Sequence, residues 1–261
     1  MKFIFFTDSH FHLFTNYAKP DKDYVNDRFK EQMYALQKVF DIARENQADV
    51  IFGGDLFHKR NSVYTTVYNH VARVFNNNKD VNVYLLRGNH DAVSNSLYTY
   101  SSIEPLGLLD NVQVLQVPTV TVKDGINLVF LPYGDETEEM KKFIKDSYKE
   151  DTTNILVAHI GVEGATTGKG SHRLEGAFGY QDLLPNKYDF ILLGHYHKRQ
   201  YLNGNPNHMY GGCLLQASFS DEGQDKGVHL IDTDKNSSEF IAIETRKFIT
   251  LDEKEGFEKV S

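Results

Sequence analysis

Tryptophan is absent from this 261-residue chain, cysteine occurs once and proline six times. The lone Cys213 excludes an internal disulfide framework and fits a reducing compartment, with cytoplasm the default expectation. No apolar run approaches the roughly 20 residues that span a bilayer. The opening MKFIFFTDSH has one lysine, a short apolar run broken by Asp8 and no small-residue cleavage site, so it does not read as a signal peptide. An excess of basic residues is also missing: 28 Lys and Arg stand against 36 Asp and Glu, a net charge of −8. That balance argues against broad electrostatic attachment to nucleic acid or anionic membrane. It leaves a phosphate-bearing substrate open, because carboxylates that hold metal ions are neutralised once the ions bind. Internal repeats and low-complexity linkers are lacking too. One domain is expected over residues 1–250, followed by a polar tail, 251–261.

What is present is an alternation of short apolar runs and amphipathic stretches. FIFFTD reads as a strand, and Phe29, Met33, Leu36, Phe40 and Ala43 recur at helical spacing within a helix from about Tyr24 to Glu45. DVIFGGD is the next strand, followed by a helix over about Val63 to Phe75. VNVYLLRGNHD, NVQVL, TVTV, INLVFLPY, NILVAH and DFILLGH are further strands, with a helix around Glu138 to Tyr148. KGVHLIDTDKNSSEFIAIE predicts a hairpin turning at Asp234 to Ser237. The class is α/β, a sandwich of mixed sheets flanked by helices.

Polar chemistry collects at the C-terminal ends of five strands. These carry Asp8 and His10, Asp55, then Asn89, His90 and Asp91, then His159, and finally His195 and His197. Strand C-termini are where ligand sites form in α/β sheets. Carboxylate, imidazole and amide oxygen without thiolate suit Mn, Fe, Zn or Mg. In an extended chain, residues two apart face the same side. His195 and His197 would then lie roughly 6.6 Å apart, wide enough to serve separate ions of a pair about 3.5–4 Å apart. Asp55 can bridge both through its two oxygens. Two divalent ions against Asp8 and Asp55 leave a positive centre that attracts phosphate and makes hydroxide available near neutral pH. The pattern predicts phosphoester hydrolysis.

The ordered set D-x-H, G-D, G-N-H-D, a lone His after a strand and G-H-x-H resembles the calcineurin-like metallophosphoesterases, over Asp8 to His197. The resemblance implies a metallophosphoesterase β-sandwich of two mixed sheets with helices outside. It also implies one ion held by Asp8, His10, Asp55 and His197, and a second by Asp55, Asn89, His159 and His195. His90 would be the catalytic acid, with Asp91 holding its ring.

GDLFHKR narrows the resemblance to double-strand-break repair nucleases of the SbcD type. There His58 would contact the substrate phosphate or transfer a proton, rather than hold an ion. HMYGGCLLQASFSDEGQDKGVHLID is similar to the Y-x-G-S, S-F-x-E and K-G stretch of that group, with Gly212 in place of the serine. Implied are 3′-to-5′ exonuclease and single-strand endonuclease action on DNA, two ions with manganese foremost, a homodimer, and an SbcC-like coiled-coil ATPase partner in repair or phage DNA processing. The chain ends soon after its last hairpin, so the ATPase-binding segment is expected to be absent.

Lys59, Arg60, Arg87 and Arg199 are expected to bind substrate, with Lys169, Arg173 and Lys198 nearby, and Tyr196 to stack on a base or pack in the core. GATTGKGS, Gly164 to Ser171, is one residue short of a P-loop and lacks its Ser or Thr, so nucleotide binding is not expected. His12, His70, His172, His208 and His229 are assigned no role, and Cys213 is read as a buried filler. Two rivals remain: a phosphatase or cyclic-nucleotide phosphodiesterase with the same centre, and a non-catalytic scaffold of the same fold.

Overall fold

The computed structural model describes residues 1–166 and 178–250. The tail at 251–261, most of the GATTGKGS loop, Lys169, His172 and Arg173 lie outside the described residues. Among the described residues, fourteen strands and three α-helices follow one another: β1 (Lys2–Phe6), β2 (Pro20–Asp21), β3 (Val25–Asn26), α1 (Asp27–Asn46), β4 (Asp49–Phe52), α2 (Thr65–Asn77), β5 (Val83–Leu86), β6 (Val112–Leu115), β7 (Thr119–Lys123), β8 (Ile126–Leu131), α3 (Thr137–Ser147), β9 (Asn154–His159), β10 (Phe190–Gly194), β11 (Gln200–Leu202), β12 (Asn205–Tyr210), β13 (Gly227–Asp232) and β14 (Ser237–Ala242).

They form two six-stranded mixed sheets, ordered β14-β13-β1-β4-β5-β6 and β11-β12-β10-β9-β8-β7, and one small ribbon, β2-β3. In the first sheet β1, β4, β5 and β6 are parallel, β13 pairs antiparallel with β1, and β14 pairs antiparallel with β13. In the second, β8, β9, β10 and β12 are parallel, with β7 and β11 antiparallel at the edges.

The near-continuous apolar character of the central strands follows from burial on both faces. Phe3 and Phe5 of β1 point between the sheets, where they share a core with Ile51, Phe130, Val157 and Leu192. Ile4 and Phe6 point the other way, onto Phe29, Leu36 and Phe40 of α1 and Val71 and Phe75 of α2. On the outer face of the second sheet, Val129, Leu156 and Ile191 pack with Met140 and Ile144 of α3. The result is a sandwich with α1 and α2 outside one sheet and α3 outside the other.

The long helix starts at Asp27 rather than near Tyr24. Asn26 sits in extended conformation and its side-chain oxygen accepts from the Phe29 amide at 2.8 Å, which fixes the N-cap. The polar run Asn205–Tyr210 forms β12, parallel to β10. Its sequence NPNHMY carries no alternation that announces a strand, and pairing in the sheet overrides its weak propensity.

Candidate metal centre

β1, β4 and β5 lie parallel in one sheet, and β9 and β10 lie parallel in the other. Their C-terminal ends bring seven side chains separated by up to 189 positions into one cluster. Asp8, His10 and His197 form one group with all donor atoms within 4.8 Å, and Asp8, Asp55 and His159 form another. His10 Nε2 is 3.9 Å from Asp8 Oδ1, 3.7 Å from Asp55 Oδ2 and 2.9 Å from His197 Nε2. His159 Nε2 is 3.3 Å from Asp55 Oδ2, and Asn89 Oδ1 lies 3.1 Å from both His159 Nε2 and His195 Nδ1.

At four of these seven residues the backbone is left-handed rather than extended. Asp8, His10, Asp55 and His195 have φ of 52°, 46°, 63° and 102°. Left-handed conformations in non-glycine residues are uncommon, and they concentrate where surrounding structure forces a functional geometry. Extended chain is therefore not what puts Asp8 and His10 on one side, contrary to the expectation from their spacing. β1 ends at Phe6, and left-handed backbone at Asp8 and His10 brings the two side chains together.

Two glycines permit the close approach of the loops. A Cβ on Gly54, itself at φ +104°, would lie 2.3 Å from His159 Nδ1, and one on Gly88 would lie 2.1 Å from Asp55 Oδ1. No larger side chain fits without moving a clustered group.

Electrostatics favour cations. Burial pushes His10 down to about 3 and His195 down to about 4, so both are neutral near pH 7 with lone pairs free to bind. Burial alone would lower His159 as well, but the adjacent Asp55 and Asp8 carboxylates lift it to about 9. Its Nδ1 donates to the Gly53 carbonyl at 2.8 Å, which turns Nε2 toward Asp55 and Asn89. Burial opposes ionisation of Asp55, yet His159 and His10 hold its carboxyl well below the usual carboxylate range. Two facts test the fit to divalent ions. The Nε2 atoms of His10 and His197 face one another at 2.9 Å with His10 held neutral, and the Asn89 acceptor oxygen faces two ring nitrogens. Oxygen and nitrogen donors about 3–4 Å apart are what an ion bound at about 2.0–2.2 Å requires between them. The donor set fits.

A sequence model of the calcineurin-like phosphoesterase family matches residues 1–199. The chain belongs to the calcineurin-like phosphoesterases. The SbcD component of the nuclease SbcCD from Staphylococcus epidermidis is 24% identical over 238 residues, 83% of this chain and 61% of that protein. The chain thus spans about three fifths of the length of this curated relative. Among solved structures, a putative 5′-nucleotidase from Staphylococcus aureus aligns over 97% of this chain and 56% of its own, at 14% identity and a TM-score of 0.57. The calcineurin-like phosphoesterase YfkN from Bacillus subtilis aligns over 93% and 88%, at 12% identity and 0.50. Both share the fold. Membership in this phosphoesterase family implies a metal-dependent hydrolase, and among the described residues no helix is long and apolar enough to cross a membrane.

Around the cluster, several expected roles change. His90 stands edge-on to His10 with ring centroids 4.8 Å apart, but Asp91 does not hold its ring. The Asp91 carboxylate accepts from the amides of Asp55 (2.9 Å), Gly88 (3.0 Å) and Phe57 (3.1 Å), which ties two loops together. Burial, then the nearby Asp55, raises Asp91 to about 6. Arg87 is fully buried and donates to the carbonyls of Gln116, Leu97 and Tyr133, so it braces the interior and cannot meet substrate. Arg199 lies 4.0 Å over the Phe240 ring and does not line the cavities beside the cluster. Tyr196 is buried against Tyr210, a core position.

Arg60 donates from Nε to the Asn89 carbonyl at 2.9 Å and from Nη1 to Asn95 Oδ1 at 2.7 Å. It steadies the Asn89 loop. Lys59 is exposed, and its charge is felt at His58 and His12. The half-buried His58 stacks on His90 at 6.0 Å and 19° and is pushed down to about 4, mainly by burial.

Two residues escaped the sequence reading. Lys226, buried, donates to the His197 carbonyl (3.0 Å) and to Asp221 (2.9 Å), and so braces the G-H-x-H loop. The K-G stretch was its only signal. Tyr133, at the end of INLVFLPY, sits 5.7 Å from His195 by ring centroid; its run gave only the strand.

Proposed function

We propose that this phosphoesterase is a metal-dependent DNA nuclease that hydrolyses phosphodiesters at a two-ion centre. Asp8, His10, Asp55 and His197 hold one divalent ion, manganese foremost, while Asp55, Asn89, His159 and His195 hold the other. Such ions supply charge neutralisation for the phosphate and lower the pKa of water. The protein's own part is positioning. The Gly53 carbonyl fixes the His159 tautomer, the Thr7 hydroxyl (2.7 Å) and the His195 amide (3.1 Å) orient Asp8, and Arg60 steadies Asn89.

The Nδ1–H of His90 donates to the His58 carbonyl, so Nε2 is the nitrogen turned to the site, and it would hand a proton to a departing ribose oxygen when the ring is in its imidazolium form, returning to the neutral Nδ1–H ring. His58, with Lys59 beside it, contacts the substrate phosphate at the cleft. The observation that carries the reading is the convergence of seven donor side chains with His90 at their edge. The choice of a nucleic acid is supported by the name of the Staphylococcus epidermidis relative, a nuclease subunit, and that of DNA by the resemblance carried by GDLFHKR.

The test supplies Mn, Mg or Zn to the metal-stripped protein with labelled linear and circular single-stranded DNA, duplex DNA and a chromogenic monoester. DNA cleavage that needs added metal is expected. Brisk monoester hydrolysis with all DNA intact would show a phosphatase instead.

A further inference from the structure

A cavity of about 260 Å³ beside the cluster is lined by Asp8, His10, His58 and His197 and by Phe14 and Arg28. A second, of about 280 Å³, shares His58, Phe14 and Arg28 and runs on to Tyr17, Phe219 and Phe248. Contacts between flat groups follow the same path. His58 lies 4.9 Å from Phe14, the Arg28 guanidinium sits 4.9 Å over Phe14 and 5.7 Å over Phe248, and Phe248 meets Phe219 at 4.9 Å and Tyr17 at 6.0 Å.

At the far end the rings open to solvent, with Tyr17 71% and Phe219 45% exposed. Clustered exposed aromatics on a soluble protein mark contact surfaces more often than isolated ones do. The loops that carry them are held from below, because Arg28 donates to the carbonyls of Asn16 (2.9 Å) and Ala217 (3.1 Å).

Charge narrows the ligand. The cations at this end are engaged: Arg246 pairs with Asp27 at 2.8 Å, and Lys247 pairs with Asp225 at 3.4 Å. Glu31 lies 3.9 Å from Arg246. Arg28, the cation that lines both cavities, spends its guanidinium on the Asn16 and Ala217 carbonyls and on the Phe14 and Phe248 rings, and the exposed part of the surface beside these engaged groups is aromatic.

We propose that Tyr17 and Phe219 form a ledge on which unpaired nucleobases of a single-stranded polynucleotide stack while its scissile phosphodiester lies at the metal cluster. The inference rests on the nuclease reading and names the strand state that the site takes. Stacking on aromatic rings tolerates any base. It also demands an unpaired strand, because base faces inside a duplex already stack on one another. The strand crosses the ledge with bases toward the rings and phosphates toward solvent.

The test compares Tyr17→Ala/Phe219→Ala with wild type and with Tyr17→Phe/Phe219→Tyr. The substrates are oligothymidylate, an abasic oligomer of equal length and bis(4-nitrophenyl) phosphate. Removing the rings is expected to lower kcat/KM on oligothymidylate by about 5- to 150-fold, with no change on the small diester. Wild type is expected to cut the abasic oligomer at the rate of the double-alanine variant, and the aromatic swaps to retain activity. Undiminished oligothymidylate cleavage by the double-alanine variant overturns this inference alone. So does an equal loss on the small diester or on the abasic oligomer. A wild-type protein that hydrolyses the small diester and leaves every oligonucleotide intact overturns the nuclease reading, and this inference with it.

Discussion

The Nδ1 atom of His90 lies 2.6 Å from the backbone carbonyl of His58. A carbonyl only accepts, so Nδ1 carries the proton and the orientation of the ring is set by the 58 loop. Orientation of the proposed acid and presentation of the His58 side chain are therefore properties of one loop, while Asp91 secures the backbone beneath both.

His90→Asn is expected to lower turnover by about 10²- to 10⁴-fold while both ions remain bound. Asp91→Ala should behave differently, losing thermal stability and metal content together, because three backbone amides lose their acceptor. Metal analysis and thermal melts of the two variants separate these outcomes. Unchanged turnover in His90→Asn would remove it from the chemistry.

Asp55 lies within reach of both proposed ion positions, 3.7 Å from His10 Nε2 and 3.3 Å from His159 Nε2. Asp55→Ala is expected to drop the bound metal from two ions per chain to one or none, read by elemental analysis after dialysis. Retention of two ions would refute the bridging role.

Arg60 was expected to touch substrate, yet it holds the Asn89 carbonyl. Arg60→Ala should weaken binding of one ion by about 10- to 100-fold, as loss of a supporting partner of a metal ligand does. Excess metal should restore most of the activity. A raised KM for DNA at saturating metal, with unaltered metal affinity, would return Arg60 to the substrate.

His229 on β13 is buried and pushed down to about 4 by burial and then by the Arg199 charge. Its folded pKa lies below the ordinary 6.5, so the unfolded chain takes up the proton first as pH falls. The folded state loses stability from about pH 6.5 down to about 4 and is unaffected above that window. Between pH 7 and 5 the linked loss is about 2 kcal/mol. Urea titrations should show wild type losing that much more than His229→Gln over the same interval. Parallel pH dependences would mean that His229 does not carry the effect.

Much of the fold was legible because its signals are local. Apolar strands buried on both faces, the 3.6-residue period of α1 and the turn of the β13–β14 hairpin are each written within a short window. β12 was missed because NPNHMY has weak strand propensity; it is held by β11 across the left-handed Asn203-Gly204 turn and by parallel pairing with β10. The donor types at five strand ends were likewise plain, and they named the class of ion and of bond before any geometry was known.

What residues 1–261 determined by themselves was the inventory: nitrogen and oxygen donors at strand termini, glycines beside them, and no thiolate chemistry. Tertiary structure alone decided where each side chain points. Left-handed backbone at Asp8, His10, Asp55 and His195 sets the cluster. Carbonyls of three other segments take up Arg87 in the interior, packing between the two sheets sets Arg199 over Phe240, and loop contacts join Tyr17 to Phe248 across the chain. The physical reason is one of range. Donor chemistry and strand periodicity belong to residues and their immediate neighbours, whereas direction and company depend on contacts between segments far apart in sequence.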